Sequence, residues 1–314
     1  MQAYVVRRLL ALLPVALVVA TVAFVLIHLA PGDPASVIAG PDASADDVQK
    51  IASQLGLDAP LYVQLGRFYF RLLQGDLGQS IFLRKPVSEA ILDRAEPTLL
   101  LTAFATVIAV VLGVPAGIIA ARYRNGVPDQ ACMALALVGI SVPNFLLALL
   151  MVLFFGVHLG WFPVAGYAPL EYGWMGTLRS LVLPAVALGV VQSALIARIT
   201  RSSMLDVLYQ PFIVASRSKG LAERAIVYKH ALRNALIPTV TIIGISFAIL
   251  IGGAVVVETI FNIPGIGRLI ISAVLRRDYP VIQGVVLCVA GVYMLVNLLI
   301  DLSYLVIDPR VRYQ

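Results

Sequence analysis

Charge is what this chain has least of. Of its 314 residues only 13% are Asp, Glu, Lys or Arg, about half the roughly 25% carried by soluble domains. With 60% hydrophobic residues and a mean hydropathy of +0.94, that scarcity excludes a soluble globular fold and leaves topology as the question. Cysteine is nearly absent too. Cys132 and Cys288 both sit inside apolar runs, which excludes a disulfide framework or a Cys-x-x-Cys site and reads them as packing residues. There are three histidines, and no His-Glu-x-x-His, no Gly-x-Ser-x-Gly and, within the apolar runs, no paired carboxylates at helical spacing, so no enzyme site can be assembled in the spans. A Walker A sequence is missing, so the chain cannot handle ATP alone. The net charge of +6 does not point to nucleic acid, because the basic residues sit at the edges of apolar runs and form no contiguous patch.

What the chain does have is long uncharged runs. Arg7 and Arg8 precede the first, residues 9–32. At 1.5 Å per residue it covers roughly 36 Å, enough for a ~30 Å hydrocarbon core. It is longer than the ~7–15 residues of a signal-peptide core and lacks a small-x-small cleavage site, so it is expected to be an uncleaved first span. Pro31-Gly32-Asp33-Pro34 then breaks the helix. From there to Glu96 the sequence is mixed. Ser44 is a candidate N-cap for a stripe of Val48, Ile51, Ala52 and Leu55, with Asp47 three residues on and Gly56 as C-cap. A second stripe, Leu61, Leu65, Phe68 and Leu72, ends near Gly75; a third, Val87, Ile91 and Ala95, is expected to stop at Pro97. These predict a small folded lobe rather than a linker.

Five more apolar runs follow: 97–121; a run from 130 whose helix is expected to end near Gly156; 180–197, with Pro184 inside; 234–257; and 279–300. The stretch after Gly156 carries Trp161, Phe162, Tyr167, Tyr172 and Trp174, the interfacial aromatic type. Six spans with a cytoplasmic amino terminus put Arg7, Arg8, Arg122, Arg124, Arg310, Arg312 and the basic stretch described next inside. Only Arg179, Arg268, Arg276 and Arg277 then fall in short outer loops. The excess of positive charge inside sets that orientation, with both ends cytoplasmic.

Between two of the runs lies one polar interruption, 198–238, with Arg198, Arg201, Arg217, Lys219, Arg224, Lys229 and Arg233. Gly220 divides it, and glycine makes a sharp bend cheap. Leu221, Ala225, Tyr228 and Leu232 are expected on one helix face, with Arg224, Lys229 and Arg233 on the other. Pro238 suits the first turn of the next helix. On physical grounds a solvated basic loop held inside by its charge explains this stretch equally well. Elsewhere His28 reads as an interfacial residue, and His158 falls in a loop. Glu258, in apolar sequence near a helix end, must be paired or wetted; it either caps a helix or serves a function. Gly113, Gly117, Gly252 and Gly253 permit close helix approach, to a partner or within the chain.

The order Ala215-Ser216-Arg217-Ser218-Lys219-Gly220-Leu221, then His230-Ala231-Leu232-Arg233-Asn234-Ala235-Leu236-Ile237-Pro238, resembles the EAA loop of bacterial ABC importer permeases. It is most similar to the dipeptide/oligopeptide/nickel branch, although Val214-Ala215-Ser216 stand where the loop often reads Glu-Ala-Ala. PGDP, GLDAPLYVQ, GDLGQS and EPTLLLT in the first third, the stretch Val257 to Gly267, and the IDPRVRY ending look like the same branch. The resemblance implies an all-α membrane protein of the type I ABC importer transmembrane fold, in the bacterial inner membrane, with a periplasmic lobe between helices 1 and 2. It divides the chain into 1–96 (first helix and lobe), 97–306 (five-helix core with coupling loop 201–236) and a tail, 307–314. The implied role is a permease subunit forming half of a translocation path for di- or oligopeptides or a related solute such as glutathione, a nickel chelate or an opine. Ala215, Ser216, Lys219, Gly220, Leu221, Glu223, His230, Arg233, Asn234 and Pro238 would couple the path to ATPase subunits through the 211–236 loop. Glu258, Phe261, Asn262, Pro264, Gly265 and Gly267 would form an outer gate or binding-protein contact. Implied partners are a homologous second permease, two ABC ATPase subunits that carry ATP and Mg, a periplasmic or lipid-anchored solute-binding protein, and the lipid bilayer. No cofactor and no metal is expected on this chain, and no enzymatic activity. A stand-alone secondary transporter or channel is the alternative; it would need intramembrane ion-coupling residues or an internal repeat. A membrane enzyme or receptor is the other rival.

Overall fold

The computed structural model describes residues 2–29, 35–36, 44–55 and 58–307. The expected break at Pro31–Pro34, the Gly56 cap and the basic tail lie outside the described residues. Among the described residues there is no strand, only an isolated bridge between Gln79 and Pro86. The helices are α1 (Gln2–Leu29), α2 (Ala45–Leu55), α3 (Leu61–Leu73), α4 (Val87–Arg122), α5 (Val127–Ser141) and α6 (Asn144–Met151, prolonged by a π-helical stretch, Val152–His158). They continue with α7 (Trp174–Leu208), α8 (Pro211–Ser218), α9 (Glu223–Gly253), α10 (Val255–Ile260), α11 (Ile266–Arg276) and α12 (Tyr279–Ile307).

Among the described residues five helices are long and apolar enough to cross a membrane, and α5 with α6 makes a sixth if that bent pair counts as one span. The third run ends at His158, close to the expected Gly156, but it is bent, turning by 96° between Ser141 and Asn144. Pro143 is the cause. It lacks an N–H and forces Val142 into extended backbone (φ −83°, ψ 121°). Other prolines do not break their helices. α4 was expected to stop at Pro97 but runs through both Pro97 and Pro115. Its two halves are each held by packing, Val87 and Ile91 in one cluster and Leu101 and Ala105 in another, which outweighs the ~3 kcal/mol cost of a helical proline. Likewise α9 carries Pro238 well inside a helix that has already begun at Glu223.

The chain forms two compact units. One comprises Pro97–Pro264 and the chain from Leu295 on. Its centre is α7, 61% buried in its most apolar stretch against 11% for α1. Leu181 and Leu188 of α7 pack with Leu101, Ala105, Leu250, Val257 and Phe261. Glycines let α4 and α7 touch. A Cβ on Gly117 would lie 2.6 Å from Thr200 Cβ, and one on Gly113 or Gly189 would strike backbone carbonyls of the opposite helix at 2.6 and 2.7 Å. The GxxxG pair thus serves a contact within the chain. The other unit, Gln2–Glu96 with Gly265–Met294, is built on Val87, Ile91, Ile266, Leu269, Ala273, Val281 and Val285. In it Asp278 is buried and accepts from Ser80 Oγ (2.5 Å) and from the Ile81 and Phe82 N–H groups (both 3.3 Å), fixing the loop that follows Gly78.

Candidate functional site

The basic stretch folds into a sharp, exposed corner. α7 carries Arg198 and Arg201 within its helix, so the corner begins only at Tyr209. Pro211 opens α8 at its first turn, where a missing N–H costs nothing. At the far end the Gly220 N–H donates to the Arg217 carbonyl (2.9 Å) and the Leu221 N–H to that of Ser216 (3.3 Å). This is the paired arrangement of a Schellman turn, and it needs the left-handed backbone of Gly220, φ +75°. A Cβ at Gly220 would meet nothing within 4 Å. Glycine is required there by conformation alone. Across the turn Arg217 and Glu223 pair, Nη2 to Oε1 at 2.8 Å and Nε to Oε2 at 3.2 Å. The carboxylate beside it holds the Arg217 guanidinium above its ordinary pKa.

α9 starts at Glu223 and passes through a π-helical stretch, Ile226–Ala231, before resuming as α-helix. The expected apolar face is not the buried one: Leu221 and Tyr228 are exposed, while Ile226, Val227, Ala231 and Ala235 are buried. They close over Ile213 of α8, Met204, Val207 and Leu208 of α7, and Ile118 and Ala121 of α4. A small apolar plug thus pins the corner to the ends of two other helices. Ala215, Lys219, Gly220, Leu221, Glu223, Arg233 and Asn234 remain exposed, as do Arg217, Arg224 and Lys229; Ser216 and His230 are half-buried. The Ser216 hydroxyl donates to the Phe212 carbonyl and the Asn234 amide to that of His230, both at 2.7 Å. Pro238 lies further along α9 and takes no part in the turn.

Sequence reasoning counted Arg201 among the basic residues but missed its partner. Its guanidinium grips Asp129 of α5, Nε to Oδ1 at 2.6 Å and Nη2 to Oδ2 at 2.7 Å. Asp129 also accepts the Asn125 N–H at 2.8 Å. A solitary carboxylate in the otherwise basic turn RYRNGVPDQ was the signal. Nearby Arg124 donates to Tyr209 Oη at 2.6 Å, with its guanidinium over the ring.

The second candidate cluster is the turn after α10. Glu258 is fully buried, and Thr98 Oγ1 donates to its Oε1 at 2.6 Å. The Ile263 N–H donates to the Glu258 carbonyl (2.8 Å), and Asn262 takes φ +53° to close the turn. The Phe261 carbonyl accepts the Gly166 N–H at 2.7 Å, which ties the turn to the aromatic loop. Phe261 is buried, while Asn262 and Pro264 are exposed. Gly265 and Gly267 are buried at the start of α11, in the other unit. In the aromatic loop Trp161, Tyr172 and Trp174 are exposed. The loop borders an open cavity of about 520 Å³ lined by Phe162, Tyr167, Arg179 and Ser180 among others. Among the described residues no three His, Cys, Asp or Glu side chains converge as metal ligands.

Two family models match the chain. Residues 113–313 match the binding-protein-dependent transport system inner membrane component, and residues 1–102 its N-terminal part. A putative peptide transport system permease protein of Brucella abortus is 46% identical over 313 residues, the full length of both chains. The glutathione transport system permease protein GsiC of Salmonella paratyphi A is 46% identical over 311 residues, 99% of each chain. Among solved structures, a chain of the MetNI methionine ABC transporter, in inward-facing conformations, superposes with a TM-score of 0.58 at 20% identity. The match covers 70% of this chain and 97% of that one, a likeness of fold.

Proposed function

Since the chain belongs to the family of binding-protein-dependent transport system inner membrane components, and is thus a multi-pass permease subunit of an ABC importer in the inner membrane, we propose that it carries short peptides or a peptide-like solute such as glutathione. The names of its full-length relatives support that substrate class. The chain supplies half of the path and a homologous second permease the other half. Two ATPase subunits, which hold ATP and Mg, dock on the cytoplasmic corner, and a periplasmic or lipid-anchored solute-binding protein delivers at the outer face. This chain is not itself catalytic. Residues 1–96 act as first helix and outer lobe, 97–306 as the transport core and 307–314 as a cytoplasmic tail.

The observation that carries the reading is the corner at Gly220. An exposed basic turn would be a poor lever if it were loose; this one is locked by its own backbone and by a plug of buried side chains. Ala215, Ser216, Lys219, Gly220, Leu221 and Glu223 form the docking surface. His230, Arg233, Asn234 and Pro238 lie along the helix that leads from it into the membrane. On the opposite side Asn262 and Pro264 present a contact surface, with Glu258 and Phe261 behind them and Gly265 and Gly267 after them, as a gate or binding-protein contact.

Extracted from native membranes in mild detergent, the chain is expected to copurify with ATPase subunits and a second permease. Isolation as a single polypeptide would overturn the assignment. A binding screen of short peptides on the partner solute-binding protein identifies the substrate.

A further inference from the structure

Among the described residues four that are not glycine adopt left-handed backbone. Two are asparagines, Asn125 (φ +61°) and Asn262 (φ +53°), a residue type that tolerates it; the others are Arg84 (φ +53°) and Arg277 (φ +55°). Glycine would take either arginine position at less cost, so the chain keeps two long cationic side chains against backbone strain. Strain of this kind concentrates where a ligand or partner is held.

Both arginines belong to one corner of the unit that comprises Gln2–Glu96 and Gly265–Met294. Arg277 ends α11: its N–H donates to the Val274 carbonyl (3.2 Å) and the Asp278 N–H to that of Ala273 (2.8 Å). Arg84 closes a short hairpin. Its N–H donates to the Ser80 carbonyl (3.2 Å), the Ser80 N–H to that of Lys85 (3.0 Å) and the Val87 N–H to that of Gly78 (3.0 Å). Asp278 ties the two turns together through Ser80 Oγ and the Ile81 and Phe82 N–H groups, and the Arg276 guanidinium lies 5.8 Å from the centre of the Phe82 ring. Phe82, Leu83, Arg84, Arg276 and Arg277 are all exposed. Lys85, in the same hairpin, is matched by Asp93 and Glu89. Arg84, Arg276 and Arg277 have no ion-pair partner among the described residues.

This corner stands clear of the lipid. α4 begins at Val87, directly after the hairpin, and its first ten residues carry Glu89, Asp93, Arg94 and Glu96, charges that do not lie in hydrocarbon. Ten helical residues rise about 15 Å, beyond the roughly 5–8 Å of headgroup on each face of a bilayer. A permanent contact with another membrane subunit would be more apolar. Two apolar side chains among three unmatched arginines suit a reversible contact steered by charge, and a backbone locked in advance loses little freedom on binding.

We propose, on the functional reading above, that Phe82, Leu83, Arg84, Arg276 and Arg277 form a docking surface for the solute-binding protein, whose matching face is an apolar spot rimmed by carboxylates.

The test uses the transporter assembled in nanodiscs and the purified solute-binding protein of the same transporter, with affinity measured against salt concentration. Arg84→Gly and Arg277→Gly each remove a guanidinium and relieve the backbone at once. Each is expected to weaken binding about fivefold and to flatten its salt dependence, while the thermal midpoint of the complex stays level or rises. Lower midpoints with unchanged affinity would give these arginines a structural role only. Unchanged affinity in both variants overturns the docking surface and leaves the functional reading standing; a wild type that binds no such protein overturns both. A benzophenone amino acid at Leu83 is expected to crosslink to the solute-binding protein. Adducts confined to phospholipid or to the second permease overturn the docking surface.

Discussion

Arg201 and Asp129 meet in a two-pronged ion pair, 2.6 and 2.7 Å, that ties the last turns of α7 to the first turn of α5. The carboxylate is almost wholly enclosed (4% exposed) while the guanidinium keeps some contact with solvent (25%). Removing one member leaves the other charge without its partner. Asp129→Ala is expected to destabilise the subunit by about 2–4 kcal/mol, somewhat less than for a fully buried pair. The double variant Asp129→Leu with Arg201→Met should be the milder of the two, because no orphan charge remains. Thermal midpoints of the purified complex decide it, and equal losses in the two variants would refute the account.

Gly220 separates backbone from side-chain requirements. With open space where a Cβ would point, Gly220→Asn should keep the Schellman turn, since Asn tolerates the left-handed region, whereas Gly220→Val carries a conformational cost of about 1–2 kcal/mol. Both variants should insert in the membrane. Only the valine variant is expected to lose transport-coupled ATP hydrolysis or ATPase binding, measured as substrate-stimulated phosphate release in proteoliposomes. Normal uptake by the valine variant would count heavily against the coupling role.

Thr98 and Glu258 share a buried hydrogen bond of 2.6 Å. Thr98→Val removes the donor at nearly constant volume and is expected to cost about 1–3 kcal/mol, read as a lower midpoint. If the turn after α10 gates the path, the same variant should also raise basal ATPase activity measured without substrate. A stability loss with unchanged basal activity would leave Glu258 a purely structural residue.

The glycines of α4 and α7 give a contrast within one experiment. Gly117→Ala and Gly189→Ala force a methyl onto carbonyl oxygens 2.7 Å away and should cost about 1–3 kcal/mol each. Gly253→Ala, with nothing within 4 Å, should be neutral or slightly stabilising. Comparable losses at all three positions would mean the close helix crossing is absent from the assembled transporter.

The long uncharged runs made the spans legible, because hydropathy depends on composition rather than on partners. Gly220 was legible as a bend for a similar reason: its conformation is a local backbone property. What escaped was decided at a distance. Nothing near Pro97 or Pro143 says which of them breaks a helix; α4 survives Pro97 because both flanks are packed, whereas the chain turns at Pro143. Leu221 precedes the start of α9 and Tyr228 is exposed, because the buried face is the one on which Ile226, Val227 and Ala231 meet Ile213 and Met204 of other helices, partners that local spacing does not reveal. Asp129 looked like an ordinary turn residue until Arg201, 72 positions later, was seen to meet it.

The corner helix α9 runs on from Glu223 to Gly253 for 31 residues, and the plug around Ala231 and Ala235 holds it close to its basic end. The arms on either side of that pivot are unequal: from Ala235 to Gly253 is about 27 Å, so a tilt of roughly 5° would sweep the far tip by about 2 Å. A short stroke at the wet end of such a beam becomes a longer one at its dry end. That is a mechanical gain set by where a handful of alanines and isoleucines sit.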